Sequence, residues 1–405
     1  MAVLGTSASV PNSIQALYDA EFIEAARREY VYSQNAFILP KPMSAGSQGG
    51  SILVPMYHDL PVANTAISRV ADVTPVTFRD SSVVVTPDGY GNAVQLGWYV
   101  DLTAFTDLGR VAAERVGRNA AETVDYLGRS VAIAGNVVAF GGDATARANV
   151  SEASSTDELR PVDFFNAVDF HEGNPKVAGP GNGIGAIMRQ AVVNDIIQDA
   201  NVILVAQYGQ RPELLFNGEL GMEMGGTRLI NSNFGKIFAG AGAAGAASSG
   251  ILQNAANAGA TQIVTTAALS SVAEGDYFTV GTIESTANGE QSLTETVRFT
   301  GTTGSSNMSI IGKGPNGGLL YDHSSAAPVT HARQVHGVVF LCADAILKTY
   351  HTEVGQDGRL VPPERTGLLK QFNSMGWFWF GGFARVAENR LYRVECAASQ
   401  YTLGK

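Results

Sequence analysis

Residues 105–134 place Phe105, Leu108, Ala112, Val116, Ala120, Val124, Leu127, Val131 and Ala134 at helical spacing, which predicts one unbroken amphipathic helix. At a rise of about 1.5 Å per residue such a helix is roughly 45 Å long, more than the width of a small core. It therefore needs something extended to lie along, and its alanine-rich stripe suits close packing on a flat partner. The other face offers Glu114 with Arg118 and Asp125 with Arg129, each acid four residues before a base, worth a few tenths of a kcal/mol per pair. A core helix of an ordinary enzyme shows the same pattern, so its neighbours in the chain must decide.

With 405 residues, 45% hydrophobic and 16% charged, the chain is expected to be globular, with two or three domains. A formal net charge of −10 and the lack of any basic run argue against a nucleic-acid groove, which needs clustered Lys and Arg. Cys342 and Cys396 both sit in apolar segments, so buried free thiols are expected rather than a disulfide or a metal site. Neither a signal peptide nor a membrane span is expected, since no stretch of 18 apolar residues occurs.

Residues 11–33 read as a helix capped by Asn12 or Ser13, followed by a Pro- and Gly-rich arm. Strand patterns then take over. The turn residues Thr86-Pro87-Asp88-Gly89-Tyr90-Gly91 predict a long β-hairpin with arms 76–85 and 92–100, a ribbon with little core of its own. After the long helix come a short helix at 162–170, a strand at 184–188 and a helix from 190 to about 206, with a second strand at 227–230. Residues 239–333 are dominated by Gly, Ala, Ser and Thr. Short β runs at 262–266, 277–280, 295–300 and 308–311 make this stretch a small all-β insertion. Beyond it the pattern predicts a buried strand at 337–341, a short helix, and a closing hairpin of 384–387 with 391–396.

Catalytic motifs are missing. There is no G-x-S-x-G, H-E-x-x-H, phosphate-binding G-x-x-x-x-G-K-[ST] or C-x-x-C. Gly181, Gly183 and Ala186 have dinucleotide-loop spacing, but nothing before them reads as the strand that such a loop follows. His323, His331 and His336 lack a completing carboxylate or cysteine and read as surface histidines. Asp163, Asp169 and Glu172 read as a solvated helix face, and Trp377, Phe378, Trp379, Phe380 and Phe383 as core. No catalytic residue, cofactor or metal is expected.

The phrases LLFNGELGMEMGGTRLINSN at 214–233 and SMGWFWFGGFARVAENRLYRVECAAS at 374–399, in this order of parts, resemble the major capsid proteins of tailed bacteriophages, in the branch typified by coliphage N-four. The resemblance implies an α+β chain with the Johnson fold, also called the Hong Kong phage capsid fold. It would comprise an N-terminal arm (1–50), an extended β-hairpin loop (51–100), a peripheral domain with the spine helix (101–159), axial domain and return strands (160–238), an inserted β-rich domain (239–334) and the remainder of both domains (335–405). It further implies a non-enzymatic homo-oligomer of pentamers and hexamers forming an icosahedral virion shell. That shell would enclose double-stranded DNA without sequence-specific binding, with portal, scaffolding and decoration proteins as possible partners and no membrane. Candidate inter-subunit contacts are Phe22, Phe37, Phe78, Val83, Val85, Tyr90 and Trp98, and Val116, Val124, Leu127 and Val131 would pack the spine helix. Some relatives cross-link through a lysine in the extended loop. Here no lysine occurs between Lys41 and Lys176, so no isopeptide from that loop is expected. Rival readings are a secreted or surface-layer β-rich protein, suggested by the Gly/Ser/Thr-rich segment, and a cytosolic α/β nucleotide-binding enzyme using the 179–185 glycine turn.

Overall fold

The computed structural model describes residues 31–32, 38–43, 51–57, 60, 63–64, 66–67, 75–97, 99–100, 108–142, 144–147, 149–150, 157–172, 184–199, 223–224, 227–232, 234–238, 250–269, 276–281, 294–301, 306–331, 334–342, 345–356, 358–366 and 372–398. They fall into two compact units, residues 1–132 with 343–387 and residues 133–342 with 388–405.

The first unit is a five-stranded sheet with one long helix on it. Strands β1 (Ile38–Met43), β17 (Ile346–His351), β19 (Phe372–Arg385) and β18 (Arg359–Thr366) lie side by side in that order, and β4 (Asp88–Gly97) pairs with β19 over ten residues, Gly97 facing Phe372 and Asp88 facing Gly381. Helix α1 (Leu108–Ile133) falls within the predicted span. Its Ala112, Ala113, Val116, Ala120, Ala121 and Val124 bury against Leu360, Met375, Trp377 and Trp379 of the sheet. The period-2 alternation of β19 sends Trp377 and Trp379 inward and leaves Phe378 exposed, so the aromatic run is only partly core. Asn119 pins the helix to the sheet. Its Oδ1 accepts from Trp377 Nε1 at 2.9 Å and from Asn92 Nδ2 at 3.3 Å.

Asp125 and Arg129 are buried, so the expected solvent-facing pair is corrected: both lie on the packed side of α1. A separate two-stranded ribbon joins β2 (Ile52–Tyr57) to β3 (Asp80–Val85), antiparallel with Ile52 opposite Val85 and Tyr57 opposite Asp80. The expected pairing of 76–85 with 92–100 does not form. Pro87 has no N–H to give a ladder, only Thr86 and Pro87 separate β3 from β4, and β4 takes β19 as its partner instead. The helix expected after residue 341 is also corrected. Residues 346–351 are strand β17, because pairing with β1 on one side and β19 on the other satisfies its backbone.

The second unit holds two sheets. One has the order β5 (Val138–Phe140), β20 (Leu391–Ala397), β16 (Val335–Leu341), β6 (Ile184–Met188), β8 (Thr227–Asn231) and β7 (Glu223–Met224), with β9 (Ile237–Phe238) also paired to β16. Every residue of β16 and of β6 is buried, which explains their continuous apolar runs. Helices α2 (Pro161–Glu172) and α3 (Gln190–Gln198) cover one face, Phe164, Ala167, Val192 and Ile196 packing on Val338, Phe340, Val394 and Cys396. Asp163 starts α2 by accepting from Arg160 N at 2.9 Å, a capping role rather than part of a solvated face. The expected hairpin of 384–387 with 391–396 is not present. β19 belongs to the first unit's sheet, and β20 pairs with β16 and β5, each strand finding a longer partner than the local turn offers.

The other sheet runs β10 (Gly250–Ile251), β15 (Pro328–Thr330), β12 (Tyr277–Val280), β13 (Glu295–Phe299), β14 (Asn307–Ile311) and β11 (Gln262–Val264). Its two edges meet, Gln253 N donating to Val264 O at 2.8 Å and Thr266 N to Ile251 O at 3.0 Å. The result is a closed barrel, without free edges. Leu252, Ile263, Phe278, Val280, Val297, Phe299, Met308, Ile310 and Val329 fill it. Entry and exit are neighbours, since Phe238 of β9 faces Val335 of β16.

Candidate assembly surfaces

The ribbon of β2 and β3 is a two-stranded sheet apart from the larger ones. Alternation puts Leu53, Pro55 and Tyr57 of β2 on one face with Val84, Ser82 and Asp80 of β3. Leu53 is 60% exposed, Tyr57 65% and Val84 55%, and just before β3 Phe78 is 61% exposed. The Tyr57 and Phe78 rings stack with centroids 5.4 Å apart. The opposite face, with Ile52, Val54 and Val83, is half-buried. Both faces are therefore apolar, and full burial of each such side chain is worth about 1.5–3 kcal/mol. A two-stranded ribbon is marginal alone.

The root of the ribbon is different. Val85 is buried, closing onto Gly382, where a Cβ would stand 3.2 Å from Val85 Cγ1 and 3.0 Å from Thr86 O. Tyr90 packs on Trp379 with centroids 5.9 Å apart. Of the candidate contact residues, Phe78 and Val83 lie on the ribbon, while Val85 and Tyr90 are taken up by the first unit's own packing. Phe22, Phe37 and Trp98 fall outside the described residues. On the spine helix Val116 and Val124 are buried, Leu127 is half-buried against the same cluster, and Val131 is half-buried. Leu53, Tyr57 and Val84 went unnamed at the sequence level. Their signal was the continuous apolar run in SILVPMY, whose exposed members are readable only once β2 is known to pair with β3.

Several titratable groups of the second unit are enclosed. Glu395 is fully buried and takes a bidentate pair from Arg147, at 2.5 and 2.6 Å, with Arg393 Nε 3.0 Å away. Such geometry offsets the desolvation of a buried carboxylate. The expectation of surface histidines is corrected. His336 is buried in β16, its pKa lowered to about 3 mainly by burial and then by Arg189 and Lys313. His323 is buried against Glu295 at 2.9 Å, and His331 is half-buried, 3.0 Å from Asp276 and stacked on Phe278. His336 is held by strand packing in β16, and His323 and His331 by the carboxylates of Glu295 and Asp276. His171, which closes α2, is likewise lowered to about 4 by burial. Cys342 and Cys396 are buried free thiols, the first pushed up to about 11 and the second raised well above the ordinary thiol range, both mainly by burial. Among the described residues no three His, Cys, Asp or Glu side chains converge on a metal position. No described helix is long and apolar enough to cross a membrane.

No family model and no curated protein matches the sequence. Solved structures match it over nearly its whole length. The capsid of Ralstonia phage GP4 is 13% identical, with 93% of this chain and 91% of that chain covered and a TM-score of 0.54. The capsid of cyanophage P-SCSP1u is 13% identical, with 92% and 90% covered and a TM-score of 0.50. The capsid asymmetric unit of cyanophage Pam1 is 10% identical, with 93% and 92% covered and a TM-score of 0.50. This chain has the phage capsid fold. Within that fold, the exposed ribbon of the first unit is the candidate surface for assembly.

Proposed function

We propose that the protein is the major capsid protein of a tailed bacteriophage, a non-enzymatic subunit that assembles through pentamers and hexamers into an icosahedral shell around double-stranded DNA. The observation that carries this reading is the pairing of a whole-length capsid fold with a ribbon whose apolar faces the chain leaves unburied. Flat heterologous contacts repeated around rotation axes close into shells, and each ribbon laid on a neighbouring copy buries area that a lone subunit cannot. In this reading α1 and the five-stranded sheet form the peripheral domain, α2, α3 and the sheet around β16 the axial domain, and residues 239–334 an insertion on the shell. The acidic balance, −10 at neutral pH, suits a container whose DNA should slide rather than adhere. Portal, scaffolding and decoration proteins are the partners such a shell calls for.

Expression of the chain followed by negative-stain electron microscopy tests the reading. Shells, or rings of five and six, support it. A monodisperse monomer or dimer at concentrations where capsid subunits assemble overturns it.

A further inference from the structure

We propose that Asp125 is a latch that fixes where residues 31–32 join the first unit. The apolar stripe of α1 is interrupted by this one carboxylate, which is completely buried. Its Oδ1 accepts the backbone N–H of Val31, 94 positions away in sequence, at 3.1 Å. The next residue, Tyr32, is also completely buried. It lies over Gly128, one turn along α1, where a Cβ would stand 3.6 Å from Tyr32 Cβ and 3.4 Å from Phe383 Cε1. Two adjacent residues of a distant segment are thus held by two helix positions spaced i and i+3, which share a face.

A leucine at 125 would continue the stripe without the desolvation that a buried carboxylate carries. The carboxylate accepts from the backbone N–H of Val31, a donor that any residue but proline offers at that position. Asp125 and Gly128 together set the register at which residues 31–32 meet α1. This proposal concerns the single subunit and does not depend on shell formation.

The test is native-state chymotrypsin cleavage after Tyr32, followed by mass spectrometry, with circular dichroism on the same samples. Asp125→Asn keeps an Oδ1 acceptor and is expected to protect Tyr32 as the parent does. Asp125→Leu is expected to be cut there roughly tenfold faster or more, as loss of a hydrogen bond to a charged group implies, with its helical signal retained. Equal protection of the parent and the Leu variant overturns the proposal, as does equally fast cleavage of the Asn variant. Should the Leu variant lose its helical signal, Gly128→Val decides, because it crowds Tyr32 and leaves the carboxylate in place. Accelerated cleavage at Tyr32 then supports the latch, and unchanged protection overturns it.

Discussion

The ribbon and the barrel are both built from short strands rich in apolar residues, yet they end in opposite states. In the barrel six short strands close on themselves, and Phe278 and Phe299 meet edge-on at 6.2 Å in a sealed interior. In the ribbon two strands have nowhere to turn, and Leu53 and Val84 face each other at the surface. The barrel finishes its burial within one chain. The ribbon leaves Leu53, Tyr57 and Val84 exposed, and the length and edge count of a β structure, rather than its composition, decide which outcome occurs.

Breaking the ribbon should therefore spare the subunit and abolish the particle. With both Leu53→Asp and Val84→Asp in place, assembled shells are expected to disappear from sedimentation and electron microscopy. The isolated subunit should melt within about 0.5 kcal/mol of the parent, as exposed substitutions do; normal shells from the double variant would show that this face is not used. The barrel should behave in the reverse way. Phe278→Ala removes a fully buried ring and is expected to cost the barrel about 3–5 kcal/mol, read as a lower denaturation midpoint, with the ribbon's assembly intact wherever the barrel stays folded.

Acid probes the self-buried part of the second unit. The folded-state pKa values of His171 and His336 lie below the ordinary 6.5, at about 4 and about 3. Stability from keeping each ring neutral is therefore full above pH 6.5 and is lost as pH falls from there through pH 4 and then 3. By pH 5 each is expected to forfeit on the order of 2 kcal/mol. His336→Phe should flatten part of that slope in a pH series of unfolding midpoints; an unchanged slope would place the acid sensitivity elsewhere. The smallest effect belongs to the barrel's internal clasp. Glu295 accepts from Leu320 N at 2.7 Å, Tyr321 N at 3.1 Å and His323 Nε2 at 2.9 Å. Glu295→Gln weakens charge-assisted bonds, so faster hydrogen exchange at Leu320 and Tyr321 is expected, with a loss of about 1–2 kcal/mol.

Strands at 184–188 and 277–280 and the body of α1 were legible because their signals are local: a run of apolar residues, a period of two, a period of 3.6. Pairing was not. β2 meets β3 across the intervening residues 58–79, and β4 meets β19 nearly three hundred positions away, so the turn-like residues 86–91 pointed to the wrong partner. Residues 384–396 failed for the same reason, a tight turn at Glu388–Arg390 serving as a passage between two sheets. The exposed ribbon residues Leu53 and Val84 were hidden by that pairing error, and the burial of Asp125 by an i,i+4 charge pattern that ordinarily marks a solvated face.

Because β9 and β16 run side by side where the barrel begins and ends, the order of synthesis matters. Emerging from a ribosome, residues 250–331 supply all six barrel strands before β16 exists. The sheet around β16 must wait for β20, and the stripe of α1 stays uncovered until β19 is made. The barrel is thus the first of these sheets able to complete itself, and the nascent chain can carry a folded module while the other two sheets are still unfinished.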